Sequence, residues 1–270
     1  MEAGVGNRLA GKIALVAGAG SVGPGWGNGK AVAVLFAREG ASVFALDIDA
    51  DAIAETARII EDEGGLVATM TCDVTRANEV EAMVAACTER FGRIDILHNN
   101  VGGSSPGGPV EMPEVEWQAQ LDFNLTSAFL TCKHVLPVMK TQGNGAIVNV
   151  SSVAGMRFIG NHHVGYAASK AGLIQFTRAI AVQYASVPIR ANTILPGLMH
   201  TPLVEARLGN QYGNGDVQAL IEKRNAQVPI GHMGDAWDVA HAALYLASNE
   251  AKYVTGAELV VDGGLVAKSA

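Results

Sequence analysis

The stretch KIALVAGAGSVGPGWGNGKAVAVLFAREG, residues 12–40, decides the fold. It opens on a short apolar run, KIALVA (12–17). It closes on an alanine-rich segment whose apolar positions recur at helical spacing as far as Gly40, a common helix terminator. Between the two lie six glycines and a proline. A dinucleotide site after a first strand needs a tight turn, a close backbone approach to the pyrophosphate and a helix N-terminus aimed at the negative charge. Gly18 is placed to close the strand. The helix must begin just before Lys30, so Gly27, Asn28 and Gly29 stand where phosphate would meet its first amides. A literal Gly-x-x-x-Gly-x-Gly at Gly23, Gly27 and Gly29 starts well past the strand end at Ala17, so Gly18 is preferred as the turn glycine and AGSVGPGW becomes an expansion. Alone, such a segment also describes a surface loop; its place between a strand and a helix favours the phosphate reading.

Working outward, short apolar runs recur at 42–47, 66–72, 94–98, 146–151, 190–195 and 258–262. The segments IDADAIAETARIIEDEGG and ANEVEAMVAACTERFG between them have one charged face each and end at Gly64 and Gly92. Continuous apolar strands alternating with amphipathic helices need cover on both faces, which a parallel sheet with helices on each side provides. The expected fold is therefore a doubly wound α/β fold (a Rossmann fold) of about seven strands, with residues 1–270 as one domain. The long irregular, glycine-punctuated stretch at about 198–235 is expected to be a loop, and loops of that length are often lids.

The composition narrows the function classes. With 49% apolar and 17% charged residues among 270, the chain can bury a large core, and a formal charge of −7 without a basic cluster argues against a nucleic-acid partner. Cys72, Cys87 and Cys132 are far apart and form no CxxC pair, and none of the seven histidines belongs to a metal motif, so neither a disulfide framework nor a metal site is expected. MEAGVGNRLAGK at the start has no basic segment followed by an apolar core, and no window of about 18 apolar residues occurs; a cytoplasmic protein without a membrane partner is expected.

Two features carry chemistry. Asp47 ends the second apolar run. A carboxylate there can accept from the adenosine ribose hydroxyls and would repel the 2′-phosphate of NADP, which favours NAD; a solvated acid beside Asp49 and Asp51 is the alternative. YAASK sets Tyr166 and Lys170 four residues apart in a helical segment, on one face. An ammonium beside a phenol favours phenolate, and bringing a tyrosine from about 10 to neutral pH takes about 4 kcal/mol of differential stabilisation.

With these motifs in order, the chain resembles the single-domain branch of the short-chain dehydrogenase/reductase family over essentially its whole length. The resemblance rests on the glycine loop ending GNGKA, CDV at 72–74, NNVG at 99–102, FNLTSAF at 123–129, IVNVSSVAG at 147–155, YAASK at 166–170, LPGLMHTP at 195–202 and VTGAELVVDGG at 254–264. It implies a tetrad of Asn124, Ser152, Tyr166 and Lys170. Tyr166 would exchange a proton with the substrate oxygen while hydride moves to or from nicotinamide, and Ser152 would hydrogen-bond that oxygen. Lys170 would bind the nicotinamide ribose and lower the tyrosine pKa, with Asn124 behind it in a water relay. Asp73 and Val74 would face adenine, Asn100 would line the cleft, and Met199 with Thr201 would contact the carboxamide. The resemblance also implies a homotetramer built on the helices that carry Asn124 and Tyr166 and on the C-terminal strand.

The chain departs from the family in two places. The glycine loop is longer than usual, so Pro24 and Trp26 either fold over the cofactor or pack outward. Ser152 precedes Tyr166 by fourteen residues, one more than the commonest spacing; the extra residue falls in MRFIGNHHVG, where His162 and His163 either touch substrate or are solvated. Met156, Phe158, Ile159, Met199 and Leu203 are candidates for an apolar pocket, suited to a hydrophobic secondary alcohol or ketone, cyclic ones included. Arg157 and Arg207 are near enough in sequence to hold an acidic group. The readings kept open are an NAD-dependent alcohol dehydrogenase, an NADPH-dependent ketoreductase such as a 3-oxoacyl thioester reductase, and a nucleotide-sensing regulator without chemistry.

Overall fold

Ala14, Leu15, Val16 and Ala17 are all essentially inaccessible to water, although successive side chains of a strand point to opposite faces. The first apolar run must therefore be covered from both sides. A computed structural model, describing residues 7–212 and 215–268, shows how. Seven strands, β1 (Ile13–Ala17), β2 (Ser42–Asp47), β3 (Val67–Thr71), β4 (Ile96–Asn99), β5 (Gly145–Val150), β6 (Ile189–Pro196) and β7 (Glu258–Val261), form one parallel sheet in the order β3-β2-β1-β4-β5-β6-β7. The fold is the doubly wound one expected, with each apolar run on a strand.

Helices α1 (Asn28–Arg38), α2 (Ala50–Asp62), α3 (Ala77–Phe91), α4 (Glu114–Leu121), α5 (Ser127–Gln142), α6 (Val164–Tyr184), α7 (Gly209–Tyr212), α8 (Val217–Gln227) and α9 (Ala236–Ala247) connect them. Alternation along β1 divides the core. Ala14 and Val16 join a cluster with α1, α2 and α9, whereas Ile13, Leu15 and Ala17 join one with α3, α5 and α6. Each large side chain so buried contributes about 1.5–3 kcal/mol. Strand order reverses between β1 and β4, and loops leaving the carboxyl ends of two strands that diverge there open a crevice.

The stretch 198–235 is not the irregular loop expected. A turn of π-helix at Val204–Leu208 runs into α7, and α8 follows. Asp216 caps α8 by accepting from the Ala219 amide at 2.9 Å. Leu220 is its one fully buried residue, so the helix carries almost no apolar stripe for periodicity to detect. Gly213 and Asn214, inside that stretch, and the first six residues fall outside the described residues. No helix among the described residues is long and apolar enough to cross a membrane.

Candidate active site

The crevice is a cavity of about 490 Å³ at the carboxyl ends of β1, β2, β3, β4, β5 and β6. Gly18 follows β1 at φ 76°, a left-handed conformation costly for any residue with a Cβ. Its turn leads to the N-terminus of α1, where Gly27 is the N-cap and has no side chain to satisfy the first amides. Asn28 Oδ1 is buried at this end without a hydrogen-bond partner among the described residues. Free amides, a dipole end and an orphaned polar atom lining one cavity fit a diphosphate.

Gly29 belongs to a different task from the one expected of it. It does not line the cavity; a Cβ there would lie 1.8 Å from the Gly18 carbonyl oxygen and 2.7 Å from Asn100 Nδ2. It is a packing glycine that lets α1 close on the turn. Trp26 also points elsewhere, packing at a tilt of 56° against Trp237 of α9 with ring centroids 4.7 Å apart and Lys30 Nζ 5.2 Å from its ring centroid. The outward alternative for Trp26 is the one observed.

At the end of β2, Asp47 is a fixed group rather than a solvated acid. Its Oδ2 accepts from the Gly20 amide at 2.9 Å and its Oδ1 from the Asp49 amide at 3.2 Å, and it lines the cavity. A Cβ on Gly20 would meet that carboxylate at 2.9 Å. Gly20 was not singled out in the sequence, though the Gly18-Ala19-Gly20 alternation marked a second close approach. Asp73 and Val74 after β3, Asn100 after β4, and Met199 and Thr201 after β6 line the same cavity. Asn100 Nδ2 donates to the Gly18 carbonyl at 3.1 Å, tying β4 to the turn.

Ser152, Tyr166 and Lys170 share the opposite end of the cavity. Ser152 follows β5, and its Oγ accepts from the Ala154 amide at 3.1 Å. Gly155 lets α6 pack tightly, since a Cβ there would lie 2.7 Å from the Lys170 carbonyl carbon. Lys170 is almost wholly buried, and Nζ donates to the Val150 carbonyl at 3.0 Å and sits 5.7 Å from the Tyr166 ring centroid. Asn124, in a turn of π-helix at Asp122–Thr126, lies behind: its amide accepts from the Gly103 amide and donates to the Gly103 and Gln120 carbonyls. A Cβ on Gly102 would be 2.7 Å from Lys170 Nζ and 2.8 Å from Asn124 Oδ1, so that glycine keeps open the space the two share.

The protein's own groups do not lower the tyrosine pKa. Burial raises Tyr166, with the Ser152 hydrogen bond and the Arg224 charge opposing it in part. Burial lowers Lys170 to about 7. The coupling expected from the Tyr166/Lys170 spacing is not among the causes acting on either group, and desolvation dominates both.

Of the expected pocket side chains, Ile159, Met199, Leu203 and Arg207 line the cavity. Met156 and Phe158 do not, being 47% and 68% exposed, and Arg157 is spent on the Val266 and Lys268 carbonyls. His163 lines the cavity, its ring 5.4 Å from that of Tyr166, whereas His162 does not. Among the lining residues that escaped the sequence reading are Tyr212 and Arg224, both in the stretch taken for a loop. The Tyr212 hydroxyl donates to Ser104 Oγ at 3.1 Å, fastening α7 across the cavity.

Comparison with known proteins agrees with this geometry. The family model described as enoyl-(acyl carrier protein) reductase matches residues 24–266. A 3-oxoacyl-[acyl-carrier-protein] reductase of Thermotoga maritima is 38% identical over 96% of this chain and 99% of its own. A 2,5-dichloro-2,5-cyclohexadiene-1,4-diol dehydrogenase of Sphingobium indicum is 36% identical over 96% and 97%. A solved structure from Burkholderia xenovorans, titled as a short-chain dehydrogenase/reductase, superimposes with a TM-score of 0.94 at 53% identity, covering 98% of this chain and 100% of that one. The chain belongs to the short-chain dehydrogenase/reductase family, whose members are nicotinamide-dependent oxidoreductases of alcohols and ketones.

Proposed function

We propose that the protein is an NAD-dependent dehydrogenase of secondary alcohols, working reversibly on the corresponding ketones, with Tyr166 as the general acid and base. The observation that carries this reading is the placement of Ser152, Tyr166 and Lys170 at one end of the cavity whose other end holds Asp47. Ser152 and Tyr166 present two hydroxyls to one substrate oxygen. The Ser152 hydroxyl orients that oxygen, and the Tyr166 hydroxyl gives it a proton in reduction or, as phenolate, takes one in oxidation. Lys170, anchored on the Val150 carbonyl, directs its remaining protons into the cavity, where a ribose hydroxyl would bind. The nicotinamide, when bound, supplies the hydride acceptor or donor.

Asp47 supports NAD. With its oxygens held by two amides and Asp49 beside it in the cavity wall, a 2′-phosphate would meet two carboxylates, whereas ribose hydroxyls can donate to the lone pairs that remain. A ring-sized substrate is favoured by the apolar lining from Ile159, Met199 and Leu203 and by the cyclic diol named for the Sphingobium relative. The name of the Thermotoga relative favours a second reading, reduction of a 3-oxoacyl thioester, for which NADPH would be the alternative cofactor. A sensor without chemistry would have no use for the hydroxyl pair. The exposed apolar side chains Phe129 on α5 and Val182 on α6 support a homotetramer through these helices, in a cytoplasmic protein.

Replacing Tyr166 by Phe tests the reading. Proton exchange contributes about 10²–10⁴-fold, so turnover of any alcohol or ketone substrate should fall at least that far while the Kd for NAD stays within about twofold. Retained turnover would remove Tyr166 from the mechanism.

A further inference from the structure

α8 brings to the cavity a charge that proton and hydride transfer do not use. Arg224 is half-buried and lines the cavity near Tyr166 and Tyr212. Its Nε donates to Met233 Sδ at 3.1 Å, a weak acceptor, and no ion pair among the described residues includes it. Unlike Lys170, whose burial brings its pKa to about 7, a guanidinium keeps its charge at every working pH. Withdrawing that charge from water has a cost that a counter-anion normally offsets. The fixed charges of the cavity wall are also segregated. Its carboxylates, Asp47, Asp49 and Asp73, all lie beyond β2 and β3, while the substrate end holds Arg207 and Arg224 and no acidic side chain.

We propose that Arg224 binds a carboxylate of the substrate, with Arg207 as a second cation, so that the protein acts on an oxo or hydroxy acid in which an apolar segment separates the acid group from the carbinol carbon. The proposal rests on the oxidoreductase reading and narrows its substrate class. A planar guanidinium meets a carboxylate through two parallel hydrogen bonds, which would also fix the carbonyl beneath Ser152 and Tyr166. The length of the apolar segment is read out by chain length in the test. A rival role for Arg224 is to tune Tyr166 by its field. That role would affect acidic and neutral substrates alike.

The test compares oxo acids with their methyl esters: 3-oxobutanoate, 4-oxopentanoate, 5-oxohexanoate and 6-oxoheptanoate, with cyclohexanone as a neutral ketone and the tighter-binding of NADH and NADPH as reductant. For at least one length the wild-type protein should favour the acid in kcat/KM. That acid-to-ester ratio should fall about tenfold to a hundredfold in Arg224→Gln and recover in part in Arg224→Lys. The ratio cancels any change in Tyr166 common to both substrates. Calorimetric binding of the same acids and esters to the cofactor-loaded protein gives a second readout, independent of turnover. No acid preference in either readout at any length, or a ratio unchanged in Arg224→Gln, overturns the proposal. Cyclohexanone reduced without any acid preference would do so and leave the oxidoreductase reading standing. Acid-selective binding with no probe turned over would support Arg224 and count against that reading.

Discussion

Burial acts on Tyr166 and Lys170 toward one end: it raises the phenol and lowers the ammonium, so each is driven to its neutral form. A neutral phenol is a proton donor, the form that the proposed reduction of a ketone needs. Oxidation needs the phenolate, whose fraction grows tenfold per pH unit below the tyrosine pKa. The expected outcome is a kcat/KM for alcohol oxidation that climbs from neutral into alkaline pH, against a ketone-reduction rate that is flat near neutrality and falls only when Tyr166 loses its proton. Initial rates in both directions across one buffer series check this; an oxidation rate that declines above neutral pH would exclude Tyr166 as its base. At this scale the chemistry was legible and its balance was not. YAASK showed that Tyr166 and Lys170 share a face, but how deeply a face is buried is a property of the packed chain. Gly29 illustrates the same gap, because its spacing marked a close approach and only the packing showed that the approach is to the Gly18 carbonyl. Arg224 on a polar helix looks solvated until α8 is laid over the cavity.

Among the elements, β1, β2, β4, β5 and β6 were legible because both sides of each are covered, and α8 was not because a helix over a cavity mouth buries little. The expanded glycine loop gains a neighbour that no spacing rule could supply: Cβ atoms on Gly23 and Gly25 would lie in ordinary contact with Pro202, at 3.5 and 3.4 Å, and it is the backbone at Gly25, with φ 111°, that asks for glycine. β4 carries an unusual passenger. His98 is fully buried, neither ring nitrogen has a partner among the described residues, and its ring edge meets Phe36 at 6.1 Å. Burial lowers its pKa from 6.5 to about 3. Between those values the unfolded chain binds a proton that the folded chain refuses, so stability is intact above about pH 6.5 and is lost as pH falls toward 3. From about pH 7 to about pH 5 this one residue should remove about 2 kcal/mol. Urea unfolding of His98→Leu should show a correspondingly shallower loss over that range. Equal slopes for the two proteins would mean that His98 finds a partner in the folded core.

The whole molecule turns a sheet order into a charge gradient. Because β2 and β3 lie on one side of β1, and β4, β5 and β6 on the other, loops from the two halves face each other across one crevice, the first half carrying the carboxylates and the second the hydroxyls and cations. In the proposed function this gradient would give a long ligand one orientation, with its adenosine end beside Asp47 and its reactive end beside Tyr166. The proposed cofactor choice belongs to this scale, since it would depend on a carboxylate from β2 held by the amide of Gly20 from the β1 turn. Replacing Asp47 by Ala removes one of the two charges opposing a 2′-phosphate and an acceptor for the ribose hydroxyls, so the ratio of kcat/KM for NAD over NADP should fall about tenfold to a hundredfold, through weaker NAD and stronger NADP use together. Asp49 should keep the ratio from inverting fully, because its carboxylate is retained by the Asp51 and Ala52 amides whatever stands at 47. Steady-state rates with both cofactors and one substrate measure it. A ratio unchanged in Asp47→Ala would move discrimination to the glycine loop, where Ser21 and Val22 line the same end of the cavity.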